Sequence, residues 1–505
     1  MNVRIPGTGT SGGVLDPFSG PVSRKYGVAL VKWAAQLPGS DGQVGMYGCS
    51  YPGVQALDVA AAVGPKSPLK AVVAACASTG NDFVNEIFLR GGMPTLTAGA
   101  FAAVGALYGD NQQTDAELTT DRNNMFSGGD LAYERAFWRA RGSMGDAASI
   151  VHNRIPTLLW SDWSDVVIGG ALADYAVFQN AASGTHPVLG PMRPHGDVTG
   201  RYQVVVGAGT HGQGLDPTIM LEWFDTFLKG EDTHIDRTIT PLHLYEEGSD
   251  RWVNASSYPI VARYKPLYLS SGGSLDSRLS PAAGGSQTLV WGEQPDQTGG
   301  TVTYQSAPVA AGATIAGPIA ATMYATSSNT NMELIASLYD VAPDGTATKI
   351  TDGPILASQR QLDPANSWYD QDGLAVRPYL AQVGDSYLTP KKAYRLDVEM
   401  TPIEWSIAPG DALQLTVTTQ EPTSQCGGEV FTIEPCFNTT PQLETLPGGT
   451  YSILAGSRYP SAINLPLLPY MYFATAPSTV TPTSGGATEP IYWGPERDWR
   501  WPGRR

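Results

Sequence analysis

The sequence predicts an α/β domain in its first half and an all-β sandwich in its second. Up to about residue 239, short continuous apolar runs alternate with runs of helical period, the pattern of a parallel sheet covered by helices. From about residue 240, short alternating runs recur between Pro, Gly and Asn/Asp turns, as in a β-sandwich. At 505 residues the chain is long enough for two or three separate cores.

Taken in order, Met1–Ile5 reads as part of a strand, followed by a glycine-rich loop over residues 6–13. That loop lacks the Gly-Lys-Ser/Thr of a phosphate cradle and opens no dinucleotide-binding helix, so it reads as a tight strand-to-helix connection. Tyr26–Gln36 has helical spacing and stops at Pro38-Gly39. Gln43–Tyr47 reads as a strand, Gln55–Val63 as a helix, and Leu69–Ala77 as a strand buried on both faces. Residues 81–150 break the rhythm, with helical patches at Thr95–Tyr108 and Leu131–Arg141, and are expected to form a helical cap insertion. Alternation resumes with strands at Ile155–Trp160 and Tyr202–Val206, and helices at Gly169–Gln179 and Met220–Lys229. The α/β domain is thus expected over 1–80 and 151–239, and the sandwich over 240–476, beginning with a strand at Leu242–Tyr245. Residues 477–505 are expected to be a flexible end, rich in Ser, Thr, Pro and Gly and then basic and aromatic.

Composition narrows the function. The net charge of -16 and the lack of clustered Lys and Arg exclude phosphate-rich partners, so no nucleic acid is expected. No apolar run reaches the length of a membrane span. No Cys-x-x-Cys or His-rich cluster suggests a metal, and no cofactor is implied. Cys426 and Cys436 bracket a short Gly-rich segment and read either as a local disulfide or as unrelated thiols. A disulfide would place the protein outside the reducing cytoplasm, secreted or periplasmic. Cys49 and Cys76 lie in apolar runs and read as small buried residues.

The chemistry concentrates at Gly48-Cys49-Ser50-Tyr51-Pro52-Gly53, where a strand meets a helix. A serine on such an elbow is exposed above the sheet, and glycines flank it where a Cβ would collide with neighbouring backbone. The second half of the motif is one residue longer than the usual elbow, and a bare turn is the alternative reading. Asp165 and His211 follow later strands, at the carboxyl ends where open α/β sheets place ligands. The chain order Ser, Asp, His is that of α/β-hydrolases. In this arrangement His211 is the general base for Ser50, and Asp165 orients the imidazole, with Asp162 as the rival acid. Phe83, Phe88, Phe137, Trp138 and Trp163 are candidates for a substrate-pocket wall or for plain core.

These motifs resemble the cocaine-esterase and X-prolyl dipeptidyl peptidase family of serine hydrolases. The resemblance rests on the glycine-rich loop of residues 4–13, Gly48 to Gly53, Trp163-Ser164-Asp165, Gly209-Thr210-His211, and Trp223 to Asp232. It implies an α/β-hydrolase domain with a C-terminal jelly roll, a Ser50, Asp165 and His211 triad, and the Tyr51 backbone N–H as one oxyanion donor. It also implies amino-terminal strands carrying a tyrosine as second oxyanion donor, and the expectation is a domain incomplete at that end. A small-molecule ester or amide is the expected substrate, a carboxylesterase the first reading and an X-prolyl dipeptidyl peptidase or acylase the second. A non-catalytic binding protein on a hydrolase scaffold is the alternative from another class.

Overall fold

The structure, a computed structural model, describes residues 5–18, 20–80, 84–94, 112–214, 216–282, 284–291, 300–419, 444–446 and 448–473. The expectations for Phe83, Thr95–Tyr108, Cys426, Cys436 and residues 477–505 lie outside these residues.

Among the described residues a six-stranded sheet organises the first half, in the order β1 (Val44–Cys49), β2 (Leu69–Ala75), β3 (Thr157–Ser164), β4 (Tyr202–Thr210), β5 (Leu242–Glu246) and β6 (Arg251–Ala255). The first five run parallel and β6 returns antiparallel to β5. Helices α1 (Pro21–Ala34) and α2 (Tyr51–Ala62) flank β1 in sequence. They cross closely: a Cβ at Gly27 of α1 would lie 2.2 Å from the Val59 side chain of α2. The insertion contributes α3 (Gln112–Phe126), a four-residue α4 (Ala136–Arg139) and α5 (Gly145–His152). The expected helix at Leu131–Arg141 therefore shrinks to one turn, and α3 was not anticipated. Helix α6 (Ile168–Ser183) is buried over almost its whole circumference, because it lies between the sheet and the sandwich. The opposite face is covered by α7 (Pro217–Phe224), whose Ile219 and Trp223 pack on Ala71, Val73, Leu158 and Val205.

One boundary needs correction. Leu242–Tyr245 belongs to the parallel sheet as β5, pairing with β4 from Val204 to Val206, and does not start the sandwich at residue 240. Its pattern is short and apolar in either setting, so the strand was legible but its sheet was not. The sandwich strands begin at β7 (Lys265–Leu269).

The second half is a β-sandwich, with twelve strands among the described residues joined in one hydrogen-bonded network. Its spine is β8 (Ala313–Ser327), paired antiparallel with β9 (Tyr394–Ile407) across an irregularity at Gly317. A strand over Ala347–Leu356 crosses β9 so tightly that a Cβ at Gly353 would lie 2.0 Å from the Glu399 carbonyl oxygen. The sandwich docks on the first sheet through Glu247, which donates to and accepts from the backbone of Glu404 and Ser406. Arg90, from the insertion, holds Asp352 at 3.0 Å and Thr401 at 2.9 Å. Among the described residues, no helix is long and apolar enough to cross a membrane.

Candidate active site

Ser50 sits where β1 turns into α2, with φ 61° and ψ −131°. A non-glycine residue in that region carries strain that the surroundings must hold. They do so on both sides. The Ser50 N–H donates to the Ala75 carbonyl at 2.9 Å, and the Ser50 carbonyl accepts from Val54 at 3.0 Å. A Cβ at Gly48 would meet the Pro52 carbonyl carbon at 2.4 Å, and one at Gly53 would meet the Ala75 oxygen at 2.7 Å. The longer motif is thus accommodated because Gly53 packs against the end of β2. Tyr51 is the first residue of α2, so its N–H lies at the positive end of the helix dipole.

Asp165 follows β3 and is fully buried. Its Oδ1 lies 2.8 Å from His211 Nδ1 and accepts from the Val167 N–H at 3.3 Å, while Oδ2 accepts from the Ser161 hydroxyl at 3.1 Å. These donors fix the carboxylate against the imidazole. Burial alone would lower the His211 pKa, but the hydrogen bond and charge of Asp165, with Cys49 and Asp162 behind them, outweigh it and raise the pKa above the usual histidine value.

Asp162 is buried too, but it faces backbone. Its Oδ1 accepts from the Gly209 N–H at 3.0 Å, on the strand that leads to His211. A Cβ at Gly207 would lie 2.4 Å from that oxygen, which explains a glycine there. Burial pushes the Asp162 carboxyl up to about 7, with Gly209 opposing and the Asp165 charge adding to the rise. The loop after β4 carries His211 back towards β1, since a side chain on Gly212 would begin 3.6 Å from Cys49 Sγ.

The aromatic candidates resolve towards core. Phe88 and Trp138 are buried and stack at 5.0 Å. Trp163 is buried and its indole N–H donates to the Tyr245 carbonyl at 2.6 Å, tying β3 to β5. These three correct the pocket-wall expectation: their rings are spent on packing. Phe137 is half-buried, edge-on to Trp138 and covered by the Arg141 guanidinium at 3.4 Å. The residue that joins this cluster to the elbow is Phe18, 4.6 Å from Phe88 and 6.2 Å from Tyr51 between ring centroids. Sequence reasoning passed over it; the Asp16-Pro17 turn before it was the available signal.

Behind Asp165 lies a cavity of about 50 Å³, lined in part by Asn85, Glu86, Arg90, Gln382 and Met400. It has room for a few waters and is far below the size of a drug-like ligand site.

Two family models match in tandem: the X-Pro dipeptidyl-peptidase (S15 family) model over residues 2–213, and the X-Pro dipeptidyl-peptidase C-terminal non-catalytic domain over 234–441. Among curated proteins, a provisionally assigned serine esterase of Mycobacterium tuberculosis is 26% identical over 265 residues, 46% of this chain and 40% of that protein. The cocaine esterase of Rhodococcus sp. is 23% identical over 355 residues, 62% of this chain and 56% of that protein. The chain thus spans about half the length of the curated relatives it matches. Among solved structures, a CocE/NonD family hydrolase from Staphylococcus aureus superposes with a TM-score of 0.72 at 18% identity, covering 92% of this chain and 79% of that one. An α-amino acid ester hydrolase superposes with a TM-score of 0.63 at 17% identity, covering 92% and 84%. The chain belongs to the cocaine-esterase and X-prolyl dipeptidyl-peptidase-like family, as an α/β-hydrolase domain joined to a C-terminal β-sandwich.

Proposed function

We propose that the chain is a serine hydrolase that cleaves an ester or amide through an acyl-enzyme. The observation that carries this reading is the 2.8 Å contact between His211 Nδ1 and Asp165 Oδ1, on a loop returning towards a serine held at φ 61°. With Nδ1–H donating to Asp165, Nε2 is left as the base. Ser50 Oγ attacks the substrate carbonyl carbon and its proton passes to Nε2. The developing oxyanion is met by the Tyr51 N–H at the start of α2. The protonated imidazole then gives its proton to the leaving alcohol or amine, and water repeats the sequence to release the acid. Asp165 stabilises the imidazolium in both halves.

A carboxylesterase acting on small acyl esters is the first reading, supported by curated relatives that are named as esterases. Dipeptidyl peptidase activity on X-Pro amides is the second, favoured by the family match over residues 2–213. Steady-state assays of wild type and Ser50→Ala on short-chain p-nitrophenyl esters and on an X-Pro chromogenic peptide test both. We expect ester turnover that disappears with Ser50→Ala. Turnover unchanged in that variant would refute the mechanism, and turnover of the peptide alone would move the assignment to the second reading.

A further inference from the structure

The Ser50 elbow carries a pair of thiols that the hydrolytic chemistry does not use. Cys49 immediately precedes Ser50 at the end of β1, and Cys76 directly follows β2. The two strands run parallel with Cys49 opposite Ala75, so Cys76 is its diagonal neighbour. Strands about 4.8 Å apart with a rise of about 3.3 Å per residue put the two Cα atoms roughly 6 Å apart, inside the separation a disulfide spans. Strict alternation would send Cys76 to the face opposite Ala75. Its backbone is instead left-handed, at φ 50°, and it joins Ala71, Val73 and Ala75 in one small core against which Cys49 packs. Both sulfurs lie under the residue after His211: a side chain on Gly212 would begin 3.6 Å from Cys49 Sγ and 4.0 Å from Cys76 Sγ. Both are free thiols; Cys76 is buried and Cys49 is half-buried. Packing as two small apolar residues needs neither two sulfurs gathered beside Gly212 nor the left-handed backbone at Cys76.

We propose that Cys49 and Cys76 form a reversible intramolecular disulfide that switches the hydrolytic site off. A hydroperoxide first oxidises the Cys49 thiol to the sulfenic acid, its O–O bond breaking as the corresponding alcohol leaves. Cys76 sulfur then attacks Cys49 sulfur, the S–S bond forms, the S–O bond breaks, and water departs with the Cys76 proton. Two electrons pass in total from the thiols to the peroxide, and a dithiol reductant reverses the bond by exchange. Cys49 reacts first because it is the more exposed, and because the neighbouring Cys76 thiol, against the effect of burial and with help from His211, lowers its pKa. An S–S bond of about 2.05 Å is far shorter than a contact between thiols. Closing it draws Cys49 towards β2 and shifts the adjoining Ser50 beneath the loop that carries His211. The loss of rate rests on the reading of Ser50 as nucleophile; formation of the bond does not.

The test uses the full-length reduced protein treated with tert-butyl hydroperoxide, followed by differential alkylation, peptide mapping and ester turnover on the same sample. We expect a linked peptide joining Cys49 to Cys76, at least a tenfold loss of turnover, and recovery of both with dithiothreitol. Cys49→Ala should keep its turnover through the same treatment. Cys49 and Cys76 both still alkylatable in the oxidised wild type, Cys49 paired with Cys426 or Cys436, or a Cys49–Cys76 bond with unaltered turnover would each overturn the proposal. Absence of turnover in the reduced protein would count against the serine-hydrolase reading instead, and the peptide map would still decide the bond.

Discussion

Asp165 and Glu404 are both fully buried carboxyl groups, one at the end of the parallel sheet and one where the sandwich docks on it. Around Asp165, an imidazole, a hydroxyl and a backbone amide all converge on the carboxylate. Around Glu404, neither oxygen has a hydrogen-bond partner among the described residues, and Arg251, whose charge opposes the rise, is taken by another carboxylate. Arg251 pairs with Glu246, which also accepts from Ser249 at 2.5 Å and from Thr314 at 3.2 Å. Burial therefore raises the Glu404 carboxyl well above its usual pKa, with the Glu246 charge adding and Arg251 opposing. The two histidines make the same point. His211 is raised by Asp165, whereas His243 lies between the side-chain amides of Asn254 and Gln203, and burial lowers it to about 4. Burial is common to both regions; convergence of an imidazole, a hydroxyl and an amide on the carboxylate belongs to one.

The comparison breaks most visibly by removing the convergent groups. Ser50→Ala or His211→Ala should cost on the order of 10⁵–10⁶ in kcat, measured on a p-nitrophenyl ester, with unchanged circular dichroism. Asp165→Asn should cost about 10⁴, since the amide no longer holds the imidazole in the required tautomer. The same acid-to-amide exchange at Glu404 should leave kcat untouched.

Next in size is Gly53→Ala, whose new methyl would meet the Ala75 oxygen at 2.7 Å. It should cost about 1–3 kcal/mol of stability by overpacking and lower turnover at the same time by tilting the elbow, readable by thermal melts and steady-state kinetics. A pH profile sharpens the histidine contrast. Because Asp165 raises the His211 pKa and the base must be neutral, the acid limb of kcat/KM should have its midpoint above about 6.5. A midpoint below that value would contradict the pairing.

The smallest effect is on stability alone. The Glu404 pKa is raised in the fold, so the folded state binds the proton more tightly, and stability falls as pH rises past the unfolded value of about 4.3. Glu404→Gln should therefore raise Tm at pH 8, with the gain fading below about pH 4.

Much of this was legible in the residues. Apolar runs such as Leu69–Ala75 are buried nearly throughout and read directly as parallel strands. Gly48 and Gly53 announced the elbow because a Cβ at either meets backbone. Helix α3 was hidden, since Gln112–Phe126 is polar on most sides and buries only Thr114, Leu118 and Met125. The choice of Asp165 over Asp162 also lay beyond periodicity. The two residues are three apart on the same strand end, and only the fold shows that Asp162 turns to the Gly209 amide while Asp165 meets the imidazole. The gathering of Cys49 and Cys76 beside Gly212 was illegible for a similar reason, because it depends on a left-handed residue just past the end of β2.

The most direct measurement of the central claim is fluorophosphonate labelling of the folded chain, with peptide mapping of the adduct. We expect one adduct, on Ser50, that is lost in His211→Ala. A cooperatively folded protein that takes no label, or takes it at another residue, would contradict the assignment of Ser50 as a nucleophile activated by His211.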